Sequence, residues 1–284
     1  MVLVTVGRLV YDLAMERAVQ VDGLKIRYLE EGSGHPVILL HGASLGSSAD
    51  VWEKTLSALS RGGFRGLAYD QPGFGLSDSP VDYTGSYRTG FIVKFMYALG
   101  ISRASLIGHS QAGGMAARVA LDCPERVSHI VTVATGSLLP PLPDQGGRGG
   151  AREGEEGGET APTLEDTKRL LESNLFNKSL ITHDVLEKRH RMSVGKNFEA
   201  FRARLEARET QKDVVPLWQR LKEIRAPLLM LYGAQDRGSA AKRCALFKQM
   251  EPTMDLQVIE NGAHLLMWDA ADTFHQKLLE FLRR

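Results

Sequence analysis

Cysteine is nearly missing from this chain of 284 residues. Only Cys123 and Cys244 occur, too few and too far apart for a disulfide framework or a zinc cluster. Such usage implies two free thiols in a reducing compartment. Long apolar runs are missing too: Pro36-Val-Ile-Leu-Leu40 soon stops, far short of the roughly 20 residues a membrane-spanning helix needs. Neither sign of charge is in excess, with 35 Lys+Arg against 34 Asp+Glu, which argues against a dedicated nucleic-acid surface. Met1 to Met15 carries Asp12 and has neither a basic start nor a small-residue cleavage site. No secretory signal is expected there, and the cytoplasm is the expected location. No internal repeat is visible. What is present is a 43% hydrophobic content, enough to exclude wholesale disorder and to build one large α/β domain or two small ones.

Short apolar segments alternate with helix-period stretches, the pattern of a mostly parallel sheet covered by helices. Strands are expected at Lys25–Glu30, Pro36–His41, Arg65–Asp70, Ala104–Gly108, Val127–Ala134, Pro227–Tyr232 and Leu256–Ile259. Several are unbroken Val/Ile/Leu runs, as strands buried on both faces require. Helices are expected at Trp52–Arg61, Tyr87–Leu99, Gln111–Cys123, Ala240–Met250 and Thr273–Leu282, the last capped by Asp272. From Ser137 to about Val215 the strand signal disappears. The spacing there predicts helices at Leu164–Asn174, His183–Met192 and Phe198–Glu209. Between Asp144 and Glu159 seven glycines occur with no aromatic residue, so a flexible loop is expected. The organisation expected is a core in two parts, residues 1–136 and 216–284, with a helical cap at 137–215 that carries the loop at 144–159. Such an insertion gates and shapes active sites.

The chemistry is concentrated in Ala104-Ser-Leu-Ile-Gly-His-Ser-Gln-Ala-Gly-Gly114, an apolar strand, a Gly-x-Ser turn and a helix start. A serine on so sharp a turn needs small neighbours, and Gly108 is one of them. Ala112 stands where the strict Gly-x-Ser-x-Gly pattern has its second glycine. Taken alone, the stretch also reads as a glycine-rich turn with an idle serine. Two further strand ends decide against that: Pro227–Tyr232 runs into Gly233-Ala-Gln-Asp236, and Leu256–Ile259 runs into Glu260-Asn-Gly-Ala-His264. The order Ser110, Asp236, His264 is that of a nucleophile, its orienting acid and its base. Asp70, Asp78, Asp255 and Asp269 compete for the acid. Among the other histidines, His41 is expected to be a buried ring holding an oxyanion loop, and His109 to face the pocket. His35, His129, His183, His190 and His275 are expected on the surface or the cap. Two backbone N–H groups must meet the developing oxyanion. They are expected from Gln111, directly after the serine, and from Ala43 in His41-Gly-Ala-Ser44, with Ser44 the next choice. Nothing in the sequence asks for a metal or another cofactor.

Taken together, His41-Gly-Ala-Ser, Asp70-Gln-Pro-Gly-Phe-Gly-Leu-Ser-Asp, Gly108-His-Ser-Gln-Ala-Gly-Gly, Gly233-Ala-Gln-Asp and Gly262-Ala-His264 resemble the α/β-hydrolase superfamily. The resemblance runs from about Val21 to the C-terminus. It implies a mostly parallel eight-stranded sheet with the helical cap inserted after the sixth strand. Within the superfamily the chain looks most like the meta-cleavage product hydrolases, which split a carbon–carbon bond in products of aromatic-ring degradation. The similarity lies in His41 to Trp52, in Thr163-Leu-Glu-Asp-Thr-Lys-Arg-Leu-Leu continuing through Leu180 to Arg189, and in Leu221-Lys-Glu-Ile-Arg-Ala-Pro227.

The resemblance implies a substrate-binding role for Arg189, whose guanidinium can clamp a carboxylate or 2-oxo oxygen. A solvated arginine on the charged stretch Glu187-Lys-Arg-His-Arg191 is the bland alternative. Ser44, His109 and Leu265 are the further expected substrate contacts. The chain departs from the family at His109, where asparagine is usual, and at Leu265, where tryptophan is frequent. Carbon–carbon bond hydrolysis of a 2-hydroxy-6-oxo-dienoate is therefore the leading expectation. A carboxylesterase or lactonase is the alternative, followed by a ligand-binding protein without turnover and a cofactor-independent oxygenase. A small molecule is the expected partner in the first two cases, and a homo-oligomer is compatible with the sequence.

Overall fold

The computed structural model describes residues 14–143, 160–207 and 215–284. The expected loop at 144–159 and the end of the helix expected at Phe198–Glu209 lie outside them. The described residues form one eight-stranded sheet: β1 Met15–Val21, β2 Leu24–Glu31, β3 His35–Leu40, β4 Phe64–Tyr69, β5 Ala104–His109, β6 Val127–Val133, β7 Leu228–Gly233 and β8 Asp255–Ile259. Their order in space is β1-β2-β4-β3-β5-β6-β7-β8. The pairs β1/β2 and β2/β4 are antiparallel and the other five parallel.

The central strands are buried on both faces, and successive side chains feed two different layers. Leu39, Ile107, Val131 and Leu229 pack with Trp52, Leu56 and Phe274 under α1 (Glu53–Arg61) and the late helix Ala271–Leu282. Their neighbours Ile38, Leu40, Leu106 and Ile130 pack with Phe91, Phe95 and Met115 under α2 (Gly85–Ala98) and α3 (Gln111–Asp122). Each of these fully buried aliphatic side chains contributes about 2 kcal/mol of transfer free energy. Numbered in chain order, α4 (Leu164–Asn174), α5 (His183–Arg191) and α6 (Lys196–Glu206) follow β6, and α7 (Ala240–Met250), α8 (Leu266–Asp269) and α9 (Ala271–Leu282) complete the set. Thr163 and Asp166 form a reciprocal capping box at the start of α4, satisfying backbone N–H groups that a helix start leaves open.

Two expectations are corrected. Strand β1 was not anticipated, because Met15-Glu-Arg-Ala-Val-Gln-Val21 has no apolar run. It is an exposed edge strand, stabilised by pairing with β2 rather than by burial. Asp272 does not cap α9. The helix starts two residues earlier than expected, at Ala271, and Asp272 lies in its first turn, where its charge favours the positive end of the helix dipole.

Candidate active site

Ser110 sits between the end of β5 and the start of α3, with φ 55° and ψ −126°. That left-handed backbone costs a non-glycine residue about 1–3 kcal/mol. It is held in place by the Ser110 N–H donating to the Val133 carbonyl at 2.7 Å. The turn closes so tightly that a Cβ on Gly108 would lie 2.4 Å from the Ala112 carbonyl oxygen. The Ala112 methyl itself is fully buried, so alanine is accommodated at that place in the motif.

The other two expected residues come to Ser110 from the ends of β7 and β8. His264 Nε2 is 3.1 Å from Ser110 Oγ, and His264 Nδ1 is 3.1 Å from Asp236 Oδ1. A carboxylate can only accept, so the proton resides on Nδ1 and the Nε2 lone pair faces the serine hydroxyl. Asp236 Oδ1 also accepts from the Arg237 N–H at 2.8 Å. The Arg237 guanidinium comes within 3.4 Å of His264 Nε2.

The competing acids are engaged elsewhere. Asp70 is fully buried, paired with Arg27 at 3.3 Å, and accepts from the N–H groups of Ala49 and Leu76. Asp78 caps Lys25 N–H, Asp255 meets Arg284, and Asp269 accepts from Phe176 and Ala263 N–H groups. A second serine–histidine cluster, His35, Ser105, Ser128 and His129, gathers at the opposite edge, where β3, β5 and β6 begin. Among the described residues no carboxylate is hydrogen-bonded to either histidine, so nothing there orients an imidazole as Asp236 does. Among the described residues no group of three His, Cys, Asp or Glu side chains is placed to hold a metal ion.

His41 fixes the loop opposite the serine. Its Nδ1–H donates to the Gly42 carbonyl at 2.7 Å, and its Nε2 accepts from the Gln71 N–H at 2.9 Å. The peptide is trans, so anchoring the Gly42 carbonyl on His41 turns the Ala43 N–H the opposite way. Burial pulls the His41 ring down to about 3, so it stays neutral in this role. Gln111 opens α3, where helix geometry leaves its N–H without an intrahelical acceptor. Sequence reasoning did not find the side chains that tie these two residues together. Arg204 of α6 donates to the Ala43 carbonyl at 2.5 Å and to Gln111 Oε1 at 3.4 Å. Arg88 of α2 donates to Gln111 Oε1 at 2.8 Å and to Gln71 Oε1 at 2.9 Å.

A small cleft opens beside this centre, and Ser44, His109, Arg189, His264 and Leu265 line it together with Asn174. Ser44, His109, Arg189 and Leu265 thus line one cleft, together with Asn174, which sequence analysis placed only at the end of a helix. Arg189 projects from α5. Its Nη2 donates to Ser44 Oγ at 2.9 Å and to Ser47 Oγ at 3.4 Å. Its Nε is enclosed without a partner, and no carboxylate pairs with it among the described residues. Burial alone pulls this guanidinium down to about 10, so it remains a desolvated cation at neutral pH. Gly46 permits the approach: a Cβ there would lie 2.6 Å from the Arg189 carbonyl. Lys188 pins α5 to the core through Glu53 at 2.7 Å.

Comparison with known proteins agrees with this arrangement. Residues 35–271 match the family model of the alpha/beta hydrolase fold. The chain is 31% identical over 272 residues, 92% of either chain, to the 2-hydroxy-6-oxononadienedioate/2-hydroxy-6-oxononatrienedioate hydrolase of Burkholderia vietnamiensis. It is 30% identical over 273 residues, again 92% of either chain, to the 2-hydroxy-6-oxo-6-phenylhexa-2,4-dienoate hydrolase of Burkholderia cepacia. The solved structure of a 2-hydroxy-6-oxo-6-phenylhexa-2,4-dienoate hydrolase from Rhodococcus sp. strain RHA1 superposes with a TM-score of 0.80, covering 95% of this chain and 99% of that one. At 21% identity this likeness speaks for the fold. A sheet of this topology, the strand-end Ser110–His264–Asp236 geometry and these matches lead to one conclusion: the chain belongs to the α/β-hydrolase family, among the meta-cleavage product hydrolases.

Proposed function

We propose that this hydrolase cleaves the C5–C6 bond of an acidic 2-hydroxy-6-oxo-dienoate, the kind of compound its relatives are named for, with Ser110 as nucleophile, His264 as base and Asp236 as orienting acid. The observation that carries the substrate class is Arg189, whose Nε is enclosed without a partner and which pairs with no carboxylate among the described residues; it lines the same cleft as His264, the base that meets Ser110. A carboxylate bound there would replace the water this cation has lost.

In this reading the bound dienol first becomes a ketone, its 2-hydroxyl proton passing to C5. His264 then removes the Ser110 proton, and the Oγ–C6 bond forms as the C6 carbonyl becomes an oxyanion. The Ala43 and Gln111 N–H groups receive that charge, a contribution typically worth about 10²–10³ in rate per donor. Collapse breaks C5–C6, the electron pair leaving as a dienolate that takes the proton from His264 to become the 2-hydroxydienoate, which returns His264 to its neutral form. Water, deprotonated by His264, frees the second carboxylic acid from Ser110. Among described residues no helix is long and apolar enough to cross a membrane. We place the reaction in the cytoplasm, supported by the free cysteines, and assign the segment 137–215 as the cap.

A side-by-side assay of a ring-cleavage dienoate, a short-chain ester and a lactone tests the reading. The dienoate is expected to give the highest kcat/KM. Rapid ester or lactone hydrolysis with an untouched dienoate would replace it by the carboxylesterase or lactonase alternative.

A further inference from the structure

The loop that carries His264 has a second carboxylate bonded to it. Asp269, the last residue of α8, does not orient the imidazole; Asp236 does. Instead the Asp269 carboxylate gathers three backbone N–H groups. Oδ2 accepts from Ala263 and from Phe176, each at 2.9 Å, and Oδ1 accepts from Asn177 at 2.9 Å. Ala263 directly precedes the base, whereas Phe176 and Asn177 follow the end of α4 in the cap. Hydrogen bonds to an ionised acceptor are roughly twice as strong as neutral ones. One side chain of the core therefore ties the cap to the base loop.

The other groups around the base are committed as well. The Leu265 N–H donates to the Asn174 carbonyl at 2.9 Å. The peptide N–H groups on both sides of His264 thus end on the cap or on the carboxylate that holds it. The His264 carbonyl accepts from His109 Nε2 at 2.9 Å. Gly262 donates to Gln235 Oε1 at 3.0 Å and accepts from the Gln235 N–H at 2.9 Å. These contacts fix the main chain in a stretch between β8 and α8 that has no ladder of its own. The bond from Nδ1 to Asp236 sets the rotation of the ring. It does not set how far Nε2 lies from Ser110 Oγ, because that distance follows from where the main chain sits.

We propose that Asp269 is a positioning residue for His264, holding the base at reacting distance from Ser110 and making that distance depend on the docked cap. The inference rests on the Ser110–His264 part of the proposed function and is independent of the acidic substrate. Asp269→Asn exposes the dependence. A carboxylate has two accepting oxygens and an amide has one, so an NH2 group must face either Ala263 or Asn177. Whichever way the amide turns, the link is cut at the base loop or at the cap.

The test is labelling of Ser110 by a small neutral fluorophosphonate. The Oγ–P bond forms, fluoride leaves, and the serine proton passes to His264. The probe carries no carboxylate for Arg189, so its second-order rate reads the serine–histidine pair. Asp269→Asn is expected to be labelled at least about tenfold more slowly than the wild type and to lose a similar factor in kcat for the dienoate. A misplacement of about 1 Å is enough for a loss of up to about a hundredfold. A contact that served stability alone would lower the melting temperature and leave the labelling rate of the folded variant untouched. A wild-type labelling rate, or a loss confined to KM, therefore overturns the positioning role while leaving the nucleophile and base in place. Should Asp269→Asn fail to fold, Asp269→Ser makes the same cut and leaves room for water at this half-buried place; a wild-type rate there overturns the role equally. Labelling of the wild type no faster than of Ser110→Ala overturns the assignment of nucleophile and base, and the positioning role with it.

Discussion

Replacing Arg189 by glutamine separates binding from chemistry, and the structure sets both sign and size. The guanidinium is drawn from its ordinary 12.5 to about 10 by burial alone, a desolvation cost of about 3 kcal/mol for the charged form. A bound carboxylate offsets that cost; a neutral ester does not. For an acidic dienoate, Arg189→Gln should lower kcat/KM by about a hundredfold, with much of the loss in KM, because the clamp is already made in the ground state. A short neutral ester should lose no more than about threefold. Stability should move the other way. An uncompensated enclosed charge destabilises the free protein, so the variant should melt a few degrees higher than wild type in the absence of ligand. Steady-state kinetics on both substrates and a thermal melt with and without hexanoate are sufficient, and hexanoate should raise the melting temperature of the wild type alone. Equal losses on dienoate and ester would refute the reasoning. So would a lower melting temperature, which would make the contacts to Ser44 and Ser47 the whole purpose of Arg189.

Ser110→Ala should keep the fold and lower hydrolysis at least about a thousandfold, with wild-type turnover in a folded variant removing Ser110 from the mechanism. Arg204→Met keeps the side-chain volume but frees the Ala43 carbonyl, leaving the Gln111 amide to Arg88 alone. It should reduce kcat about tenfold at nearly constant KM, a milder loss than removing an oxyanion donor itself. A change confined to KM would instead make Arg204 a binding residue. His41 is neutral in the fold down to about pH 3 and takes a proton near 6.5 when unfolded. Below 6.5 the unfolded state therefore binds the extra proton, and stability falls by about 1.4 kcal/mol per pH unit from this group, until the folded ring protonates. Denaturant titrations at several pH values should reveal that slope, and His41→Gln should flatten it by one proton.

The catalytic centre was legible in the sequence because it sits at strand ends. A run such as Pro227–Tyr232 announces where the chain emerges from the sheet, and the first polar residues after it, here Asp236, fall on the same edge as Ser110 and His264. The tight turn at Ser110 was legible through its small residues, Gly108 above all, whose place is set by contact with Ala112 inside one local segment. What escaped depends on distances that the sequence does not order. Arg204 and Asn174 are unremarkable members of amphipathic helices until the cap is docked. Only then does one reach the Ala43 carbonyl and the other meet Leu265 at the cleft. Strand β1 escaped for a different reason: an edge strand is specified by its partner's backbone, so its own side chains can be Glu16, Arg17 and Gln20.

The same division organises specificity. The core supplies Ser110, Asp236, His264 and the Ala43–Gln111 pair from loops on a rigid sheet, where displacement is resisted by buried strands on both faces. The cap supplies Arg189, Asn174 and Arg204 from three consecutive helices, and each makes its decisive contact with a core loop rather than with the cap itself. Arg189 meets Ser44, Arg204 holds Ala43, and Asn174 receives the N–H of Leu265 beside the base. Docking the cap thus sets the ligand clamp and the oxyanion loop together, through contacts only a few residues apart between Ala43 and Ser47. A substitution that loosens the cap should consequently weaken turnover of every substrate, whereas one confined to the Arg189 guanidinium should change which substrate is preferred. That difference distinguishes the positioning function of the cap from its recognition function, and it follows from where the hydrogen bonds end.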